Sequence, residues 1–226
     1  MSDARFTDQL LDDNRVTWDA AVTHGFVREL FAGSLPDDVM VAYLVQDYRF
    51  VDGFMALIGA AIASADNFTS RHRLAEFIGE IAGDENSYFV EAMEDLGAGE
   101  LDGIPDKEST AGFKRIFAEA AETRNYAAIV SVLVVCEWLY LDWATRESNR
   151  AEAPVGHGGY PERYVHAEWV RLHDYPEFHE LVAFLRDEVD RVAGQTPENE
   201  ALSRDFFRRT VDLELAFFEE SLPPHP

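Results

Sequence analysis

Lysine is almost missing from this chain of 226 residues: only Lys107 and Lys114 accompany the arginines, and all 19 basic residues face 43 Asp plus Glu, for a formal charge of −24. No basic stripe is left to neutralise phosphates, which excludes the usual nucleic-acid binders. Cysteine is reduced to Cys136. One thiol forms no internal disulfide, and a reducing, cytoplasmic setting is expected. The start, Met1-Ser2-Asp3-Ala4-Arg5-Phe6, lacks a basic segment followed by an apolar one, so neither leader nor anchor is expected. The most apolar stretch, Ala127 to Cys136, runs into Glu137 and Asp142. It falls short of the ~20 residues that cross a bilayer, so no membrane span is expected. Zinc spacing, a glycine-rich phosphate loop and a serine nucleophile elbow are also missing. So is the period-two alternation of half-buried strands.

What remains is helical. Apolar residues recur at i, i+3, i+4 and i+7 between Pro, Gly and Asn breaks, which predicts an all-α chain. The pattern places helices near 3–23, 36–65, 69–96, 110–123, 126–148, 161–174, 176–193 and 197–220. Pro36, Pro161, Pro176 and Pro197 suit first helical positions, where a missing N–H costs nothing. Asn125 and Thr196 suit N-caps, and Gly97, Gly99 and Gly194 suit helix ends. The Gly- and Pro-rich stretch 149–160 reads as a loop within one domain spanning 1–226, since the faces on either side both need partners. At 47% apolar residues the chain can bury one sizeable core, hiding roughly 70% of its unfolded surface.

Several polar side chains sit on apolar helical faces. Asp47 neighbours Tyr43 and Val51 at four-residue spacing, which buries part of it. A carboxylate there either grips an amidine-like edge of a ligand or pairs with an arginine. Cys136 has Val132 and Tyr140 one turn away, so it is core filler or a reagent with an aromatic hydroxyl in reach. Glu137 is about 100° round the helix from it and is not the obvious base. Glu214 lies among Val211, Leu215, Phe217 and Phe218. Burial there raises a carboxyl pKa, as general acid/base work prefers, unless an arginine across the bundle compensates. The histidines contain no Glu-x-x-His pair of the di-iron type. A weaker site from His166 and His173 with Glu168 or Glu177 leaves a metal-dependent oxidase as one alternative, and a ligand-binding protein without catalysis as another.

Taken in order, Tyr43-Leu44-Val45-Gln46-Asp47-Tyr48, Cys136-Glu137-Trp138-Leu139-Tyr140, Tyr164-x4-Trp169 and Glu214-x-x-Phe217-Phe218 resemble the TenA (thiaminase II) family. Trp18, His24-Gly25-Phe26-Val27 and Ser34-Leu35-Pro36 extend the likeness over nearly the whole chain. The resemblance implies a haem-oxygenase-like helical bundle that holds no haem, metal or other cofactor. It also implies a homotetramer or dimer and hydrolysis of aminomethyl- or formylaminomethyl-pyrimidines in thiamin salvage. By the same resemblance Cys136 is the nucleophile, Glu214 the proton carrier, and Asp47 the anchor of the ring nitrogen and amino group. Phe217 lies against the ring, with Tyr140 also at the substrate. Phe50 and Phe113 stand where the family commonly has tyrosines, and His173 where it often has another. This mixture is similar to a divergent branch in which a carboxylate carries more of the work.

Overall fold

The computed structural model describes residues 5–98 and 104–222, so the expected stop at Gly99 and the first residues of the expected 3–23 helix lie outside it. Among the described residues there are helices and turns and no strand. Helix α8 (Tyr126–Thr145) forms the axis, with α4 (Asp37–Ser64), α7 (Glu108–Thr123), α11 (Pro176–Ala193) and α12 (Pro197–Ser221) packed around it. From Ala127 to Cys136 its sequence is apolar on nearly every side, the mark of a helix stretch with no wet face. By length and composition α8 passes as a membrane span, which corrects the shorter apolar stretch read from the sequence. Nearly all of it is buried inside the bundle, so the core takes up that apolar surface.

Local chemistry sets the boundaries. Asn125 accepts from the amides of Ala127 and Ala128 at 2.9 and 3.3 Å, and Thr196 accepts from that of Asn199 at 3.0 Å. Pro176 and Pro197 open their helices as expected. Pro36 instead caps α4, and the helix expected from Pro161 begins at Tyr164 as α10 (Tyr164–Arg171). Gly112 sits at the close α7–α12 approach: a Cβ there would meet the tip of the Leu213 side chain at 2.5 Å, and Leu213 would have to shift.

Two expected long helices are broken. The first is α1 (Phe6–Asp13) and α2 (Arg15–Val22), with Asn14 between them donating from Nδ2 to the Leu10 carbonyl at 2.8 Å. A side chain that competes for backbone groups weakens a helix at that point. A further helix, α3 (Gly25–Ala32), comes next unforeseen, capped by His24 and ended by Gly33 at φ 70°. The stretch expected at 69–96 is α5 (Phe68–Glu80) and α6 (Asn86–Asp95) around a π-helical turn at Ile81–Glu85. Such a turn inserts a residue and rotates the helix beyond it, and it is often found at functional sites. After the short helix α9 (Glu147–Arg150), the loop is pinned. Asn149 donates to the carbonyls of Val22 and Trp143, while Arg150 and Tyr160 both reach Asp174.

Candidate active site

Three helices turn polar side chains into the middle of the bundle. On α4, Tyr43, Asp47 and Phe50 recur at helical spacing, and Asp47 is only 5% exposed. On α8, Cys136 and Tyr140 lie one turn apart and both are buried. The Tyr43 and Tyr140 hydroxyls meet at 2.9 Å, joining α4 to α8. Burial, with Asp47 nearby, pushes both phenols well above their ordinary range, so they act as neutral hydroxyls.

The third element is α12. Glu214 is 1% exposed, and the Cys136 thiol is the one group that acts on its charge, favouring the ionised form. Its Oε1 has no partner. Among the described residues no arginine pairs with it, which settles the alternative left open by spacing. Burial pushes the carboxyl up to about 8 against the modest opposing effect of the thiol. The thiol is pushed up as well, by burial first and then by Glu214 and Glu137. At neutral pH this pair holds both its protons.

Beside it lies a cavity offering about 60 Å³ to the centres of water molecules, room for a few waters or one small ring. Of the residues singled out from the sequence, Asp47, Phe50, Cys136, Tyr140 and His173 line it. His173 is set in the turn after α10, with Nδ1 2.7 Å from the Trp169 carbonyl. That contact puts the proton on Nδ1 and leaves Nε2 an acceptor. Burial lowers its pKa to about 4, so the ring is neutral at pH 7.

Phe113, Phe217 and Glu214 are not in the wall. Phe113 meets Phe50 edge-on at 4.8 Å and so backs a wall residue, whereas Phe217 meets Tyr43 edge-on at 5.4 Å, and Tyr43 is not in the wall either. Sequence reasoning missed Glu80 at the end of α5, and it set Glu137 aside, although both line the cavity. The 100° offset of Glu137 from Cys136 matters less when the cavity wraps round α8. No periodic signal marks Glu80, which directly precedes the π turn. Trp169 and Phe178 complete an aromatic wall around His173, with ring centroids 4.6 and 5.4 Å from it. Among the described residues no group of three His, Cys, Asp or Glu is placed to hold a metal. His166 is buried with neither ring nitrogen bonded.

An all-helical bundle enclosing a small, acid-lined cavity with a buried thiol–carboxyl pair is the class defined by this fold and site. Residues 11–223 match the family model for the TENA/THI-4/PQQC family, and the chain belongs to that family. It is 21% identical to the aminopyrimidine aminohydrolase of Halalkalibacterium halodurans, over 95% of this chain and 94% of that one. Among solved structures it is similar to a TenA homologue from Pyrococcus furiosus, with TM-score 0.84, 20% identity and 96% and 100% of the two chains covered. It is also similar to a TenA family transcription regulator from Silicibacter sp. TM1040, with TM-score 0.82, 19% identity and 98% of both chains covered. These structural likenesses bear on the fold.

Proposed function

We propose that the protein is an aminopyrimidine aminohydrolase of thiamin salvage, working by covalent catalysis without a cofactor. The observation that carries this reading is the pairing of a buried thiol in the cavity wall, Cys136, with a buried carboxyl, Glu214, that acts on it and has an unpartnered oxygen. A covalent route needs a nucleophile, a proton carrier and an orienting group within one apolar pocket. Family membership and the aminohydrolase relative support the substrate class.

The reactive form is the pair after loss of one proton. Glu214 then takes the thiol proton, and Sγ forms a bond to the ring carbon next to the one that bears the aminomethyl arm. The ring double bond shifts to the arm, the C–N bond breaks and the amine leaves; Glu214 gives up its proton to it, either as the bond breaks or, where the arm was already an ammonium, to the freed ammonia, so that Glu214 is again a carboxylate. Water then adds to the exocyclic methylene and gives its proton to Glu214. The double bond shifts back, the C–S bond breaks, and the thiolate is released. Asp47 holds the ring's nitrogen and amino edge throughout, against the Phe50 wall. Such a thiol acts in a reducing compartment, so the proposal places the protein in the cytoplasm, as a homo-oligomer.

Mass-spectrometric turnover of aminomethyl-pyrimidine, its N-formyl derivative and thiamin by wild type, Glu214→Gln and Cys136→Ser tests the reading. Ammonia release that depends on both residues is expected. No turnover of any of the three would overturn it, and tight binding without turnover would make the protein a carrier.

A further inference from the structure

His173 takes no step in that chemistry, yet its ring lines the same cavity as Cys136 and Asp47. The side chain is 8% exposed, and its two nitrogens are treated differently. Nδ1 is turned back on the helix it follows and donates to the Trp169 carbonyl at 2.7 Å. Among the described residues no donor meets Nε2, the acceptor of the pair. Nor is Nε2 sealed off: both nitrogens of buried His166 are shielded from solvent, whereas this one keeps accessible surface. With Nδ1 against the backbone, the surface that the ring retains lies on its far edge, the edge that faces the cavity.

The acceptor is also held still. Trp169 and Tyr140 flank the ring at centroid distances of 4.6 and 4.8 Å, with Trp143 and Phe178 both at 5.4 Å. The Tyr140 hydroxyl is engaged with Tyr43 at 2.9 Å. An acceptor left open among apolar rings costs free energy until a donor arrives, and one already fixed in place loses little when it does. The donor has to come from the occupant of the cavity.

In the proposed reaction Asp47 takes the ring's nitrogen and amino edge. The donor of the substrate still unmatched is the N–H on the arm, which the aminomethyl and formylaminomethyl pyrimidines both carry. In thiamin the same nitrogen belongs to a thiazolium ring and is bonded only to carbon, so it offers Nε2 nothing. Its second ring also exceeds the room for one small ring that the cavity gives.

We propose that His173 sorts substrates by their leaving group: its Nε2 accepts a hydrogen bond from the N–H of the arm nitrogen, so pyrimidines with hydrogen on that nitrogen are taken and thiamin is refused. This rests on the aminopyrimidine function and narrows it. His173 binds and orients the arm, and moves no proton.

The test is a steady-state comparison of the N-formyl derivative with the same compound methylated on the arm nitrogen, which has lost the N–H, in wild type, His173→Phe and His173→Gln. Phe keeps a ring among the aromatics and has no acceptor, whereas the Gln amide returns an oxygen toward the place of Nε2. In His173→Phe, KM for the N–H substrate is expected to rise about tenfold, the scale of one hydrogen bond inside a protein, with kcat nearly unchanged and the methylated form unaffected. His173→Gln should recover most of the loss. A parallel loss on both substrates in His173→Phe would reduce the residue to a structural role and overturn the proposal, as would no change in either. Wild-type turnover of thiamin at the rate of the N-formyl derivative would overturn it too, whether or not the variants fold. If wild type turns over no pyrimidine, the function itself fails, and calorimetric titration of N-benzylformamide against N-benzyl-N-methylformamide decides the point about His173. A preference for the N–H compound that disappears in His173→Phe sustains the acceptor role; equal binding in wild type rejects it.

Discussion

Glu188 on α11 and Glu214 on α12 are both glutamates buried in the bundle, 7% and 1% exposed, and they are stabilised in opposite protonation states. Glu188 is saturated: Ser70 and Tyr126 donate to it at 2.6 and 2.7 Å, and Arg191 donates through two nitrogens. Burial alone would raise its pKa, but these donors outweigh burial and hold the carboxylate below its ordinary range. Glu214 has one weak donor, a thiol, and burial wins. Depth is therefore a poor guide to role. A carboxylate with its donors supplied is part of the scaffold, whereas one with an open oxygen keeps a proton available to a ligand.

The largest effect is expected from breaking the second member of this pair. Glu214→Gln should lower kcat/KM on the aminopyrimidine by about a thousandfold, the scale of a lost general acid/base. In wild type kcat/KM should climb as pH rises toward about 8, where the thiol–carboxyl pair loses its first proton. A Glu214→Gln variant that retained this limb would assign the titration elsewhere.

Stability separates the two glutamates next. Folded Glu214 keeps its proton up to about 8, against 4.5 as the ordinary value, so folding takes up a proton between these limits. Wild-type stability therefore falls as pH rises through that window, and Glu214→Gln, which has no such penalty, should gain on wild type by a few kcal/mol by pH 8 in urea unfolding. Glu188 runs the other way. Its folded pKa is lowered, so its contribution is present above the ordinary carboxyl range and is lost as pH falls through the folded value. Glu188→Gln should cost about 2 kcal/mol at pH 7, the value for breaking a buried pair discounted for an Arg191 that is a third exposed, and the gap should close in acid.

Smaller effects sharpen the contrast. Tyr126→Phe or Ser70→Ala removes one donor to Glu188 and should cost about 1 kcal/mol each, with turnover unchanged. Loss of turnover in either would tie that network to the active site. Cys136→Ala removes the one group that favours ionised Glu214 and should move its titration upward, read from the carbonyl stretch of the protonated carboxyl in infrared spectra.

Much of the frame was legible because helical period and burial are written in the same residues. The α4, α7, α8, α11 and α12 helices follow from apolar spacing, and the Asn125 and Thr196 caps from side-chain chemistry at the expected sites. The breaks were not legible in the same way. Asn14 and the π turn after Glu80 interrupt faces whose apolar period continues through them, so a period count joins what the backbone separates. In the site, Asp47, Cys136, Tyr140 and Glu214 showed as polar groups on apolar faces. Glu80 and the hydroxyl contact of Tyr43 with Tyr140 showed nothing, because each depends on a neighbour distant in the chain.

The sequence by itself determined that these helices form and which faces they bury, because both depend on side chains three and four positions apart. It also determined that Glu214 would be buried among aromatics. Whether that carboxyl found an arginine, as Glu188 did, or a thiol and an open oxygen was decided only by the packing of α12 against α8. The physical reason is that a protonation state depends on every donor within reach: Arg191 lies one turn from Glu188 on α11, but Ser70, Tyr126 and the Cys136 thiol come from helices that the local pattern does not bring together.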